Sequence, residues 1–184
     1  MNRDMAWNWG QMVMRRLKNA LSCRLDLTFC GDGTVVARFE GSGNERFRFD
    51  PQDGVLYHIA TITQPTWNVS TVRVERVIRR LNRCLSPVGY FTVEPGWGIT
   101  HRSSLSMLPL PEAHVLYGWD SLSHGVLCDY KEILTQIPVS DSACRLLEER
   151  TRFLDRMPNG MVYPSGSLHK SMNRTYEMMT KGVY

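Results

Sequence analysis

The chain lacks the cysteine spacing of a metal site or a disulfide framework. Its five cysteines are scattered, odd in number and without a C-x-x-C pair, a usage that indicates reduced thiols. The sequence also lacks a secretory leader, and no run of it approaches the ~20 apolar residues that a membrane span requires. These absences predict a cytoplasmic protein that is not inserted in a membrane.

Motifs that carry catalysis are missing as well. The sequence contains no G-x-S-x-G elbow and no phosphate loop of the G-x-x-x-x-G-K-[ST] type. Ser103, His101 and Asp120 are residue types of a hydrolase site, but His101 falls on a predicted strand, where we expect an exposed side chain. His124 and Cys128 are too few ligands for zinc, and Cys128 adjoins the apolar helix face. We therefore predict no enzymatic activity, no cofactor and no metal.

What the chain does contain is a clear succession of helix and strand patterns. Apolar residues recur at helical spacing in the helices, and they alternate with polar residues in the strands. The predicted elements are a helix at 4–22, strands at 25–29, 34–39, 46–49 and 55–62, a helix at 71–85, strands at 89–93 and 99–105, and helices at 115–137 and 141–157. Hairpin-length connections exclude parallel crossovers. The predicted fold class is therefore α+β, an antiparallel sheet packed against helices in the order α-β-β-β-β-α-β-β-α-α.

The length of 184 residues suits one domain with an extension. We assign residues 1–138 to the α+β domain and residues 139–184 to a C-terminal helix and extension. The last part of the chain, after residue 160, is punctuated by serine, glycine and asparagine and has little periodicity.

Arginine is concentrated in one predicted helix. The formal net charge is +4, and residues 70–85 carry that whole excess through five arginines and one glutamate. Four of them recur at helical spacing away from the apolar face: Arg73, Arg76, Arg80 and Arg83. Such a face could be solvated, could meet an acidic protein, or could lie along a phosphate backbone. No helix-turn-helix, zinc finger or RNP-like strand accompanies it, so nucleic acid is the alternative and not the favoured partner.

Tryptophan is the second unusual feature, with five in the chain. Trp67 and Trp97 fall in predicted turns, where burial in the main core is difficult, and the first helix is rich in methionine. These residues predict a partner-binding surface or a dimer seam. The candidate partner-binding residues are Trp67, Trp97, Arg73, Arg76, Arg80 and Arg83.

The order of elements, together with particular residues, resembles the YbjN-like proteins and the type III secretion chaperones that share their fold. The matching residues are 47–50 with Gly54, the helix end at 81–83, and the hairpin from 90–94 through 98–99 to Arg102 and Leu105. The resemblance covers residues 5–138. It implies a small α+β sheet packed on helices, a homodimer, and binding of another protein without catalysis.

The leading hypothesis is a non-enzymatic protein-binding module, chaperone-like or adaptor-like. It would hold a partner polypeptide through exposed strand edges and apolar grooves. The alternative is a nucleic-acid-binding or regulatory protein that uses the arginine-rich helix at 70–85.

Overall fold

The structure is a computed structural model of the chain, and it describes residues 3–22, 25–31, 34–39, 44–63, 67–85, 89–94 and 98–152. The elements are α1 (Arg3–Leu21), β1 (Leu25–Phe29), β2 (Val35–Phe39), β3 (Glu45–Asp50), β4 (Val55–Thr63), α2 (Thr71–Leu85), β5 (Tyr90–Glu94), β6 (Gly98–Ser106), α3 (Ala113–Gln136) and α4 (Asp141–Thr151). This order confirms the predicted α+β class. The part of the last predicted helix beyond residue 152 lies outside the described residues.

The strands form one six-stranded antiparallel sheet in the order β1-β2-β3-β4-β6-β5. Consecutive hairpins build its first four strands, so each of these strands pairs with the next one along the chain. The turn between β3 and β4 depends on Gly54, whose φ of 66° lies in the left-handed region that favours glycine. Its N–H donates to the carbonyl of Asp50 at 2.9 Å, which closes the turn.

Contacts divide the chain into two compact units, and the first comprises residues 1–60 and 102–124. Its core forms where α1 and the start of α3 cover the inward-facing side chains of the strands. The buried members are Val13, Met14, Leu17, Val35, Ala37, Phe47, Phe49, Leu56, Met107 and Leu116. Gly10 allows α1 to approach β2 closely, because a Cβ there would lie 2.6 Å from Cγ2 of Val35.

The second unit comprises residues 61–101 and 125–184. Its core forms around α2, which buries its apolar face against β5, α4 and the second half of α3. The buried members are Ile62, Val69, Val74, Val77, Ile78, Leu81, Phe91, Ile99, Tyr130, Ile133, Leu134, Ile137, Cys144 and Leu147. The hydroxyl of Ser140 caps α4 by accepting from the Ala143 N–H at 3.2 Å. The helix that follows the predicted boundary at residue 138 is therefore packed into this unit.

The predicted inward face of α3 is wrong in the first unit. Apolar residues recur at helical spacing through Val115 and Leu122, a pattern that predicts these side chains in the core, yet they are 40% and 61% exposed. Leu116 and Ser123 are buried instead, one position further along the helix. A serine can occupy this inward position because the Ser123 hydroxyl donates to the Trp119 carbonyl at 2.9 Å.

Two further expectations are corrected. His101 was expected to be exposed, but it is fully buried, with its ring centroid 5.0 Å from that of Phe91. Cys128 was expected beside the apolar face, but its side chain is exposed. Within the ranges that the structure describes, no helix is both long and apolar enough to cross a membrane.

Candidate functional site

The arginine-rich face of α2 lies against α4 inside the second unit. Arg73 Nε donates to Glu148 Oε2 at 3.0 Å, and Arg76 Nη1 donates to Glu148 Oε1 at 2.9 Å. Arg73 also forms an ion pair with Asp141 at the start of α4. Arg80 Nη1 donates to the backbone carbonyl of Glu148 at 3.0 Å. Three of the four candidate arginines thus contact α4 over about two turns, from Asp141 to Glu148.

Burial separates these arginines from one another. The Arg80 residue is only 7% exposed, and the side chain of Arg73 is 25% exposed, whereas that of Arg76 is 55% exposed. The interpretation of a solvated face is therefore wrong for Arg80. Arg83, at the end of the helix, is exposed. Glu148, the carboxylate partner of Arg73 and Arg76 on α4, is itself nearly buried. The cluster is therefore part of the packing between α2 and α4.

The electrostatics of the cluster follow from its geometry. Hydrogen bonds from Arg76 and Arg73 hold the pKa of Glu148 below its usual value, against the opposing effect of burial. Burial raises the pKa of the neighbouring Cys144 thiol to about 11. The side chain of Cys144 is fully buried among the core residues of the second unit, so Cys144 is a packing residue.

The two candidate tryptophans differ in what the structure says of them. Trp67 is half-buried and packs against the core of the second unit. Trp97 lies outside the described residues. A partner-binding role for Trp67, Trp97 and the four arginines stays a prediction.

A second polar cluster, in the first unit, was not predicted from the sequence. Glu45 on β3 accepts hydrogen bonds from two imidazoles through the same atom, Oε1. His58 Nε2 lies 2.8 Å away and His124 Nδ1 lies 3.2 Å away. His58 is fully buried on β4, while the side chain of His124 is 55% exposed on α3. The hydrogen bond from His58 is the main cause that lowers the pKa of Glu45.

Aromatic rings and a second carboxylate surround this cluster. The His58 ring centroid lies 5.0 Å from Phe47 and 6.2 Å from Trp119. Burial raises the pKa of Asp120, and the charge of His58 only partly opposes that effect. Within the described part of the chain, Asp120 Oδ1, Trp119 Nε1 and His58 Nδ1 are buried without a hydrogen-bond partner. The cluster is thus a polar inclusion in the core.

The chemistry available to these residues is narrow. A carboxylate that orients an imidazole is half of a nucleophile-activating triad. Ser103 was considered above as a nucleophile, but its Oγ lies 2.6 Å from the Ser123 Oγ. Since Ser123 donates to Trp119, Ser103 donates to Ser123, and its proton is not directed at a histidine. Among the described residues, no group of three or more potential ligands is placed to hold a metal ion.

A substitution of Asp120 tests whether burial of its carboxylate costs stability. Replacing Asp120 by asparagine should leave the protein equally stable or more stable at pH 7, by less than about 1 kcal/mol. Because folding raises the pKa of Asp120, the protonated carboxyl contributes stability in full below the unfolded pKa. This contribution is lost as the pH rises through the folded pKa. The gain should therefore vanish near pH 4. Urea unfolding at both pH values measures it, and Glu132→Gln, at an exposed site on α3, is the control. Marked destabilisation by Asp120→Asn at pH 7 would contradict the burial cost.

The first unit also leaves apolar side chains exposed at regular spacing. On α1, Met5 and Met12 are 62% and 48% exposed and lie seven residues apart. On α3, Val115 and Leu122 have the same spacing and are 40% and 61% exposed. Residues seven apart share one side of a helix. We call these two pairs the apolar helix faces.

Comparison with known proteins adds no assignment. No protein-family model matches the chain, and no curated protein matches its sequence.

Proposed function

We propose that the protein is a non-enzymatic protein-binding module, chaperone-like or adaptor-like, that acts in the cytoplasm as a homodimer. The observation that carries the proposal is the pair of apolar helix faces. Isolated exposed apolar residues are ordinary on protein surfaces, but repeated exposure along one helix side is typical of a surface that another chain covers. The resemblance to YbjN-like proteins and type III secretion chaperones supports the same function.

The alternative, nucleic-acid binding through residues 70–85, has less support. Phosphates would have to compete with the carboxylates that already hold Arg73 and Arg76. Arg80 would also have to leave its buried hydrogen bond with the Glu148 carbonyl. A phosphate backbone gains affinity from arginines that are accessible together, so this geometry disfavours nucleic-acid binding through residues 70–85.

The proposal is tested by affinity purification of the tagged chain from its native host, with and without nuclease. We expect a defined polypeptide that survives nuclease treatment. The double variant Met12→Gln with Leu122→Gln should capture about tenfold less of it, because one polar group on each apolar helix face breaks the contact.

The matched control changes two exposed polar positions of α1, Asn8→Gln and Asn19→Gln, and should capture as much as the wild type. Light scattering on the same samples should give a mass of twice 21.2 kDa for the wild type. Capture of nucleic acid instead of a polypeptide would contradict the proposal, as would equal capture by the two double variants. A monomer mass at micromolar concentration would contradict the homodimer.

A further inference from the structure

The first unit has a second sheet face, opposite its core. Phe47 and Phe49 of β3 are fully buried, so the alternate residues Arg46 and Arg48 project from the other side. The register places β2 and β4 neighbours on that side, because directly paired residues share a face. We define the arginine sheet face as Val36, Arg38, Arg46, Arg48 and Tyr57; Ile59, the next residue on that side, is only 7% exposed.

The charges on this face are unfavourably placed for stability alone. Arg38 lies directly opposite Arg46 in the register, and like charges in that position destabilise a sheet. In the part of the chain that the structure describes, neither of these two arginines has an ion pair within 4.0 Å. Arg48 Nη2 forms a long ion pair with Asp50 Oδ2, at 3.8 Å. An anion between Arg38 and Arg46 would relieve the repulsion, and a carboxylate can bridge guanidinium groups with charge-assisted hydrogen bonds.

Apolar side chains lie beside the arginines on the neighbouring strands. Tyr57 is directly opposite Arg48, and Ile59 is directly opposite Arg46. Val36 lies opposite Arg48 on the other neighbouring strand. A ligand that fits this face therefore combines negative charge with apolar groups at the spacing of adjacent strands, about 4.8 Å.

We infer that the arginine sheet face binds an acidic segment of the partner polypeptide, with carboxylates at Arg38 and Arg46 and apolar side chains over Val36 and Tyr57. This inference rests on the proposed protein-binding function and adds the chemistry of the partner. Acidic side chains interleaved with apolar ones complement the charge and the apolar surface of the face together.

One observation favours a polypeptide over single-stranded nucleic acid. Tyr57 is the single aromatic side chain on the arginine sheet face as defined, whereas binding of a single strand uses several stacking side chains in succession.

The test uses the full chain and a short fluorescein-labelled peptide of glutamate and leucine. Fluorescence anisotropy should detect binding that weakens with salt, because exposed charge pairs are screened. The sheet variant Arg38→Gln, Arg46→Gln, Arg48→Gln should bind about tenfold more weakly. The helix variant Arg15→Gln, Arg16→Gln, Lys18→Gln removes the same charge from exposed sites on α1 and should bind within about twofold of the wild type. Circular dichroism confirms that both variants fold.

Several outcomes would overturn the inference. These are absence of peptide binding, equal weakening in both triple variants, and equal binding of a peptide with glutamine in place of glutamate. Tighter binding of a single-stranded oligothymidylate, lost in the sheet variant, would assign the face to nucleic acid. A changed oligomer mass in the sheet variant would assign it to a second copy. A polypeptide from the host that stays bound to the sheet variant would overturn this inference and leave the proposed function standing, whereas failure to capture any polypeptide contradicts the proposed function itself.

Discussion

Replacing Leu81 by alanine is expected to lower the free energy of unfolding by about 2–5 kcal/mol. Leu81 lies on α2 and is 1% exposed in the core of the second unit. The substitution removes buried methyl groups, so the favourable free energy of transferring them from water into the core is lost. It also leaves a cavity that the neighbouring side chains fill only in part. Urea unfolding, followed by circular dichroism, measures the change. Ile78→Ala, at a site 2% exposed on the same helix, should behave alike.

The matched control lies on the same helix. Val72 is 66% exposed, so Val72→Ala should change stability by no more than about 0.5 kcal/mol. The contrast between Leu81 and Val72 tests which side of α2 faces the core, and not only whether the segment is helical. Equal unfolding midpoints for Leu81→Ala and the wild type would contradict the packing of this helix.

The fold could be predicted from the sequence where one pattern was unambiguous. In α2, apolar residues recur at helical spacing and arginines recur on another side, and Val74, Val77, Ile78 and Leu81 are indeed buried. The strands were predicted because turn residues separate short alternating runs, as at Gly54. Local chemistry determined these elements, so local patterns were sufficient.

The face of α3 could not be predicted, because two series fit the same helical period. The series through Val115 and Leu122 is apolar, while the series through Leu116 and Ser123 contains a polar residue. Apolar content favours the first, but packing selects the second. A pair of hydroxyl hydrogen bonds, from Ser103 to Ser123 and from Ser123 to Trp119, allows a polar residue at this inward position. Neither is visible in a periodic pattern.

The polar clusters were missed for a related reason. Glu45 meets His58 and His124 across separations of 13 and 79 residues, and no spacing rule covers such distances. One signal was available, since His58 occupies the inward phase of β4 together with Leu56. The arginines of α2 were recognised as a group, but their carboxylate partner lies 72 residues from Arg76. A charged helix side looks the same in sequence whether solvent or another helix covers it.

Replacing Glu148 by glutamine is expected to lower the free energy of unfolding by about 1–3 kcal/mol at pH 7. The side chain of Glu148 is 11% exposed and accepts hydrogen bonds from both Arg73 and Arg76. Glutamine keeps the shape but removes the charge that compensates two guanidinium groups. The value lies below that of a fully buried pair, because the Arg76 side chain is 55% exposed and regains water when its partner is lost.

The adjacent Glu149 supplies the control, because it has the same side chain on the same helix but is exposed. Glu149→Gln should change stability by no more than about 0.5 kcal/mol. The pH dependence adds a second criterion. Since folding lowers the pKa of Glu148 from its usual 4.5, the carboxylate contributes stability above that value and loses it as pH falls through the lowered pKa. The difference between Glu148→Gln and the wild type should therefore shrink in acid. Equal losses in the two variants, or a difference that persists in acid, would show that the carboxylate of Glu148 does not join α2 to α4.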